Sequence, residues 1–575
     1  MSKKSLGIIL AISILSFSGI IRTFAYAILH IPFPLAQALD QFLPIFVAMA
    51  YGLFAWQSNK FKMPTIKFSW LDALSLMVLA AVTAMAHRGL LTHFFFKEDV
   101  INLLTLSQVA QGVSGHDINN FFLWAVYYPF TVFFSLYFVV GTNALAYMVL
   151  TLVATFFAAA LTYLIAHTIL QSKTLALAAA ALFVSAPIYL EVFIWKLTAT
   201  GFSIAMVVFL AGILIFLQSR AKPSAPALIL SLLATLAVLK IGFVRSVIYP
   251  PILLVLDVFK QEKFSVKKLK KSLVEAWPHW VILVAAVFTA GYTYITTYSN
   301  QTGFSHWDRF LRSFVLLIDQ SIPFPASQWF FKAFLSEYAG EKSLILAVAI
   351  AAIAIILSVI LYLVGSPLMK RAAAAGWLWY LCAVLFEAFF GDNAGRGSLD
   401  QTFLNYGYMP GSKFLHFAAP GLALALTATT AGIMEKITQK RAHIIVTIIA
   451  IPIVIIMAKQ TNQFHRVFNQ EQSIPAKKLL TEIFPDILPN DRGQLLLYSK
   501  TKSPLDGFTG GGNNLPAFNL PQIEYTHDLD YVASVLKKNN YQEDQLFSFE
   551  YTIDPFVFTD TTRQTRTQIK DLLGR

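Results

Sequence analysis

The chain has 575 residues, of which 57 % are apolar or aromatic and 13 % charged, with a mean hydropathy of +0.62. A soluble domain averages about 45–50 % apolar and about 25 % charged residues, so this composition excludes a soluble globular protein and indicates a polytopic α-helical membrane protein. The net charge of +13 gathers in short connectors, which argues against nucleic acid as a partner, and the lone Cys382 excludes an intramolecular disulfide or a cysteine metal cluster.

In chain order, MSKK precedes LGIILAISILSFSGII. No small-x-small cleavage site follows, and a second apolar run begins at once, so this stretch reads as a retained helix. Spans of bilayer length are expected near 6–28, 35–56, 70–87, 142–168, 174–194, 199–217, 276–297, 344–365, 373–391, 413–433 and 442–459. A shorter hairpin-like pair lies between 226 and 259, interrupted by Lys240, Arg245 and Pro250-Pro251. The total is about 11–13 transmembrane helices.

The connectors QSNKFKMPTIKF, QSRAKPS, VFKQEKFSVKKLKKS, SPLMKR and EKITQKR are rich in Lys and Arg, whereas HIPFP and GDNAGRGSLDQTF are poor in them. The positive-inside rule assigns the first set and the N-terminus to the cytoplasm. One segment, NNFFLWAVYYPFTVFFSLYFVV (119–140), upsets this alternation if it crosses. It is therefore expected in the outer interface, which suits Trp124, Tyr127, Tyr128 and Pro129; the alternative is that 226–259 crosses once.

Residues 460–575 lack apolar runs and read as a small soluble α/β region on the extracytoplasmic side. GQLLLYS and QLFSFEYTI are expected as strands, LDYVASVLKK and RQTRTQIKDLL as helices. GFTGGGNN is expected as a loop, because neither a Walker lysine nor a strand-to-helix G-x-G-x-x-G frames it.

With this orientation, polar residues collect on the outer side. The loop 88–118 carries His93, Lys97, Glu98, Asp99, His116 and Asp117. The loop 298–343 carries His306, Asp308, Arg309, Arg312 and Asp319, and 392–412 carries Asp392, Arg396 and Asp400 ahead of Lys413 and His416. Adjacent carboxylates at a membrane boundary can supply a general base or bind a divalent cation such as Mg or Mn. They also suit a solvated helix start, because VINLLTLSQVAQG reads as an amphipathic helix after Asp99. Lys and Arg on this side suit the phosphate of a lipid-linked donor as well as ordinary snorkelling. His116, Asp117, His306 and Asp308 stand as candidates for acceptor or metal contacts; no cofactor is assigned.

Four stretches together resemble the GT-C superfamily of membrane glycosyltransferases, which includes protein O-mannosyltransferases and lipid A aminoarabinose transferases. They are KEDVINLLTLSQVAQG, WAVYYPFTVFFSLYFVVGTNALAYMVLTLVATFFAAALTYLIA, SAPIYLEVFIWKLTATGFSIAMVVFLAGILIFL and GYMPGSKFLHFAAPGLALAL. The resemblance covers about 70–460 in order and implies a GT-C-like core at 70–459, preceded by two N-terminal helices in 1–69 and followed by the soluble region 460–575. It further implies transfer of a sugar from a polyprenyl-phosphate donor to a lipid, glycan or protein acceptor. Carried over by position, Asp99 or Glu98 is the base or metal ligand. Lys413 meets the donor phosphate with His416 one helical turn on, joined by Arg396 or Arg245. Two features depart from the family pattern: two extra crossings precede the acidic pair, and RSVIYPP lacks the acidic residue many relatives carry there. The rival expectation is a transporter or flippase of lipid-linked sugars, against which stand the lack of an internal repeat and the gathering of polar groups at one face. A third expectation is a scaffold whose C-terminal region binds a partner.

Overall fold

The computed structural model describes residues 3–31, 33–57, 69–95, 99, 103, 130–194, 196–260, 266–291, 310, 314, 317–318, 321, 341–390, 415–438, 441–489, 494–500, 518, 520–521, 523–538, 541–553 and 556–573. Among them, eight helices are long and apolar enough to cross a membrane, or nine if the bent pair Gly7–Phe17 and Ile20–Ala27 forms one span. The chain is a multi-pass, largely helical membrane protein with a small sheet near its C-terminus.

The helices are α1 (Lys3–Phe17), α2 (Ile20–Ala27), α3 (Phe33–Gln57), α4 (Trp70–His87), α5 (Phe130–Val140), α6 (Ala144–Leu170) and α7 (Lys173–Ser185). They continue with α8 (Lys196–Ala221), α9 (Ala225–Ser246), α10 (Tyr249–Lys260), α11 (Val266–Ala286), α12 (Glu341–Val364), α13 (Pro367–Phe390), α14 (Ala419–Thr438) and α15 (Ala442–Phe468). Local chemistry sets their ends. Ser69 and Asp72 form a capping box at α4; the side chains of Asn143, Ser172 and Ser224 cap α6, α7 and α9. Pro250 and Pro251 lie in the first turn of α10, where a missing N–H costs no hydrogen bond, so they start a helix instead of breaking one.

Two end points differ from the sequence expectation. The segment expected at 174–194 is helical only to Ser185; Ala186 turns extended ahead of Pro187, as the residue before a proline prefers, and a 3₁₀ stretch (Pro187–Phe193) follows. The last span does not stop at 459. α15 runs to Phe468, and π and α turns carry the chain on to Ile487, because polar side chains end the apolar run without ending the helix.

The segment expected in the interface is described from Phe130 onward as α5. The ring of Phe133, near its start, lies 4.9 Å from that of Tyr147 in the first turn of α6, tilted by 32°, and the carbonyl of Gly141, just past its end, accepts the Tyr147 hydroxyl at 2.9 Å. Both contacts tie α5 to the start of α6; residues 119–129 of the expected interfacial segment lie outside the described residues.

Polar clamps hold the end of the bundle where the connectors rich in Lys and Arg lie. Asp72 binds the Lys173 ammonium at 2.6 Å and the Tyr163 hydroxyl at 2.7 Å. Arg220 forks onto Asp257 with two bonds of 2.9 Å and also holds Glu275. Glu435 takes the backbone N–H of Ser366 at 3.3 Å.

Near the C-terminus a four-stranded sheet has the order β2-β1-β3-β4, with β1 (Leu495–Ser499) parallel to β2 (Ile523–Thr526) and β3 (Leu546–Ile553), and β4 (Phe556–Asp560) antiparallel to β3. The register pairs Leu495 with Ile523 and Leu496 with Leu546. All five residues of β1 are buried, as a central parallel strand requires. Leu496 and Tyr498 pack with Val532, Val535 and Leu536 of α16 (Leu529–Lys537) and with Ile569 of α17 (Thr562–Leu573). Leu495 and Leu497 point the other way and join the core of the transmembrane bundle. The expected strands and helices of this region all form; β2 and β4 are additional, and GFTGGGNN lies outside the described residues.

Candidate functional site

At the end of the bundle remote from the Lys/Arg-rich connectors, α4, α7, α8 and α15 bring together a line of ionisable side chains. Asp99 is fully buried there, and its Oδ2 accepts the backbone N–H of Lys196 at 2.9 Å. Lys196 opens α8, so the carboxylate occupies the N-terminus of a 26-residue helix, where unpaired N–H groups and the helix dipole favour negative charge. The Lys196 side chain is also fully buried and reaches back to the carbonyl oxygen of Phe94. Lys196 precedes the apolar span Thr198–Ala221 by two residues. Burial pulls the pKa of its ammonium down, and the negative charge of Asp99 opposes that fall. Tyr147 of α6 lies within electrostatic reach of the same carboxylate.

A row of three buried histidines adjoins this pair. His93 Nδ1 meets the carbonyl of Phe193 at 3.2 Å, and its Nε2 lies 3.2 Å from His465 Nδ1. His465 Nε2 lies 3.2 Å from His87 Nδ1, and His87 Nε2 meets the Val184 carbonyl at 2.8 Å. Gly89 makes the approach possible, because a Cβ there would fall 2.5 Å from the Cβ of His465. Asn469, one turn beyond His465, fixes the same junction by donating to the Gly89 carbonyl at 2.7 Å.

On the far side of His87 the line continues through His416 and Arg245. His416, in the turn before α14, is buried with its ring 5.1 Å from that of Tyr189; its Nδ1 has no hydrogen-bond partner among the described residues. It lies within electrostatic reach of both His87 and Arg245. Arg245, at the end of α9, packs its guanidinium 4.3 Å over the Phe202 ring, and its Nε lies 3.7 Å from Oε1 of Glu387 on α13. The acidic partner absent from RSVIYPP thus comes from another helix.

Of the site residues expected from the sequence, Asp99, His416 and Arg245 gather at this one end of the bundle. Glu98, Lys413, Arg396, His116, Asp117, His306 and Asp308 lie outside the described residues. Lys196, His87, His465 and Glu387 were not singled out by sequence. Their common signal is a lone ionisable residue inside or beside an apolar run, close to a helix end. Among the described residues no group of three His, Cys, Asp or Glu side chains could hold a metal ion, for the histidine row is linear and does not converge on a point.

This arrangement can do two things. A buried carboxylate beside a buried ammonium can exchange a proton with a hydroxyl brought to it. Arg245 and His416 can receive an anionic group.

No family model and no curated protein matches the chain. Among solved structures it is similar to the crystal structure of ArnT from Cupriavidus metallidurans bound to undecaprenyl phosphate, at 13 % sequence identity and a TM-score of 0.30, over 83 % of this chain and 92 % of that one.

Proposed function

We propose that the protein is an integral-membrane glycosyltransferase of the cell membrane that transfers a sugar from a polyprenyl-phosphate-linked donor to a lipid, glycan or protein acceptor on the extracytoplasmic face. The observation that carries this reading is the buried Asp99–Lys196 pair, set at the bundle end opposite the Lys/Arg-rich connectors. In this reading the positive-inside rule makes those connectors and the N-terminus cytoplasmic, and the pair and the C-terminal sheet face the outer side. In this reading Asp99 or Glu98 takes the proton of the acceptor hydroxyl. Arg245, His416, Lys413 and Arg396 receive the donor phosphate, and a divalent cation held by the acidic loop residues would neutralise part of its charge.

A second reading, transport of lipid-linked sugars, draws on one observation. Asp40 and Lys240 form a buried ion pair of 2.8 Å about two turns inside α3 and α9, and ionisable residues at such depth mark transport paths in other membrane proteins.

One assay separates the two. Purified protein in nanodiscs is given a polyprenyl-phosphate-linked sugar together with a membrane lipid and glycan fraction as the source of acceptor, and release of free polyprenyl phosphate is measured. A glycosyltransferase releases it, and Asp99→Asn lowers the rate by about 10²–10⁴ if Asp99 is the base. Donor that changes leaflet without losing its sugar would overturn the enzymatic reading in favour of transport.

A further inference from the structure

We propose that the row His87–His465–His93 is a buried proton site, which holds one proton more than three neutral imidazoles carry. Hydrogen-bond bookkeeping leads to this result. The row makes four contacts: two with carbonyl oxygens, of Val184 and Phe193, and two between ring nitrogens. A carbonyl oxygen can only accept, so His87 Nε2 and His93 Nδ1 must each carry hydrogen. If those two rings are neutral, His87 Nδ1 and His93 Nε2 are bare acceptors. Both face His465, which must then donate from both of its nitrogens and is an imidazolium. Four contacts need four protons, whereas three neutral rings supply three. A neutral row always leaves one contact with lone pair against lone pair, and burial denies that contact a compensating water.

The position of the row makes the charge tolerable. His465 is 23 residues along α15 from Ala442, so about 35 Å from its start, beyond the ~30 Å hydrocarbon thickness of a bilayer. His87 is the last residue of α4, and His93 follows the next 3₁₀ turn, Arg88–Thr92. Among the described residues the charged and titratable groups around the row are few. From α8, Lys196 faces His93 and His465 and its charge opposes a proton there, while Asp99 offsets part of the Lys196 charge; the proton is held by the hydrogen-bond requirement against that repulsion. From the turn before α14, His416 faces His87, with Arg245 and Glu387 behind it. The 3₁₀ stretch Pro187–Phe193 contributes Tyr189, whose hydroxyl is committed to the Phe183 carbonyl at 2.7 Å. Arg88 and Arg466, next to the row in sequence, are exposed. From α7 the row receives only the Val184 carbonyl.

Both ends of the row stop on carbonyl oxygens, neither of which can pass a proton on. The row therefore stores a proton; it does not conduct one through. The charge can move from His465 to either neighbour along the N–H···N contacts, but it stays within the three rings. It sets a permanent cation between the Asp99–Lys196 pair and the His416–Arg245 pair, and it locks α4, α15 and the entry to α8 together.

Full-length protein labelled with ¹⁵N-histidine and reconstituted in bilayers tests this by solid-state NMR at pH ~8.5, where exposed imidazoles, with an ordinary pKa of about 6.5, are neutral. The chain has 11 histidines. The expected result is imidazolium intensity equivalent to one ring at that pH, unchanged in His527→Gln and lost in His465→Phe. His93→Phe gives a second variant, since two neutral rings satisfy the contacts that remain, and it too should lose the signal. Absence of imidazolium intensity in the wild-type protein overturns the proposal, as does a signal that survives both His465→Phe and His93→Phe.

Discussion

Asp99 closes the first turn of α8 from 97 residues away, its Oδ2 2.9 Å from the backbone nitrogen of Lys196. This bond gives the carboxylate a structural duty beside any chemical one, and the two respond differently to substitution. Asp99→Asn retains a carbonyl oxygen able to accept the Lys196 N–H but removes the charge. Asp99→Ala removes both. We expect Asp99→Asn to unfold near the wild-type temperature while sugar transfer falls by about 10²–10⁴. Asp99→Ala should lose a further ~1 kcal/mol or more of stability, the ordinary cost of a lost helix cap. Thermal unfolding and turnover measured on both variants check this, and full activity in Asp99→Asn would leave Asp99 with the capping duty alone.

The partner residue gives a pH test. Burial lowers the pKa of Lys196 in the folded protein, against an ordinary value of 10.5. The folded state therefore binds fewer protons at this residue than the unfolded chain does. Its contribution to stability is greatest above pH 10.5 and is lost as pH falls toward the lowered folded value. Lys196→Met removes that dependence. Unfolding measured from pH 7 to 10 should show wild-type stability rising with pH relative to Lys196→Met; parallel curves would show that Lys196 titrates as an ordinary lysine.

The helical membrane class could be read from composition and run length because each span must satisfy its own backbone in lipid. Runs such as ALAYMVLTLVATFFAAALTYLIAHTIL therefore announce themselves, and α6 begins and ends within two residues of the expected 142–168. End points that depend on backbone geometry were less visible. Ala186-Pro187 ends α7 within an unbroken apolar stretch, and α15 outlasts its apolar run by nine residues, from 459 to 468. The site was legible in part. Asp99 drew notice because two adjacent acids follow three phenylalanines. His87 and His465 did not, for each is one histidine in a separate helix, and only packing across Gly89 makes them a row. Contacts that join residues 378 positions apart leave no local pattern in a sequence.

The N-terminal helices α1 and α3 are tied to α9 by charge. Lys240 of α9 binds Asp40 of α3 at 2.8 Å and also reaches the carbonyl of Ser16 in α1. Asp40 is 4 % exposed and Lys240 6 %, so the pair is shielded and neither side chain has water to replace its partner. Removing one member should cost about 3–5 kcal/mol, whereas replacing both by apolar residues of similar size should cost much less. We expect Asp40→Leu and Lys240→Met singly to lower the unfolding temperature markedly and the double variant to recover most of the loss. A double variant as unstable as the sum of the two would mean that the pair does not act as a unit.

The C-terminal region meets the site through Phe518. Its ring lies 5.7 Å from Phe94 and 6.1 Å from Phe95, and Phe94 supplies the carbonyl that holds the Lys196 ammonium. The ring also leads into β2, whose neighbour β1 sends Leu495 and Leu497 into the transmembrane core. Ring pairs of this kind contribute about 0.5–1.5 kcal/mol each beyond the apolar area they bury. Phe518→Ala should therefore loosen the chain around position 518, ahead of β2, while leaving the sheet itself folded, since α16 and α17 cover the other face of β1 independently. Limited proteolysis should cut the variant between 500 and 522 at least several-fold faster than wild type, with unchanged protection of 541–573. If the segment also bounds the acceptor path, the acceptor KM should rise while donor binding stays constant. Equal cleavage rates would show that Leu495, Leu497 and Phe549 hold the region in place without the aromatic contact.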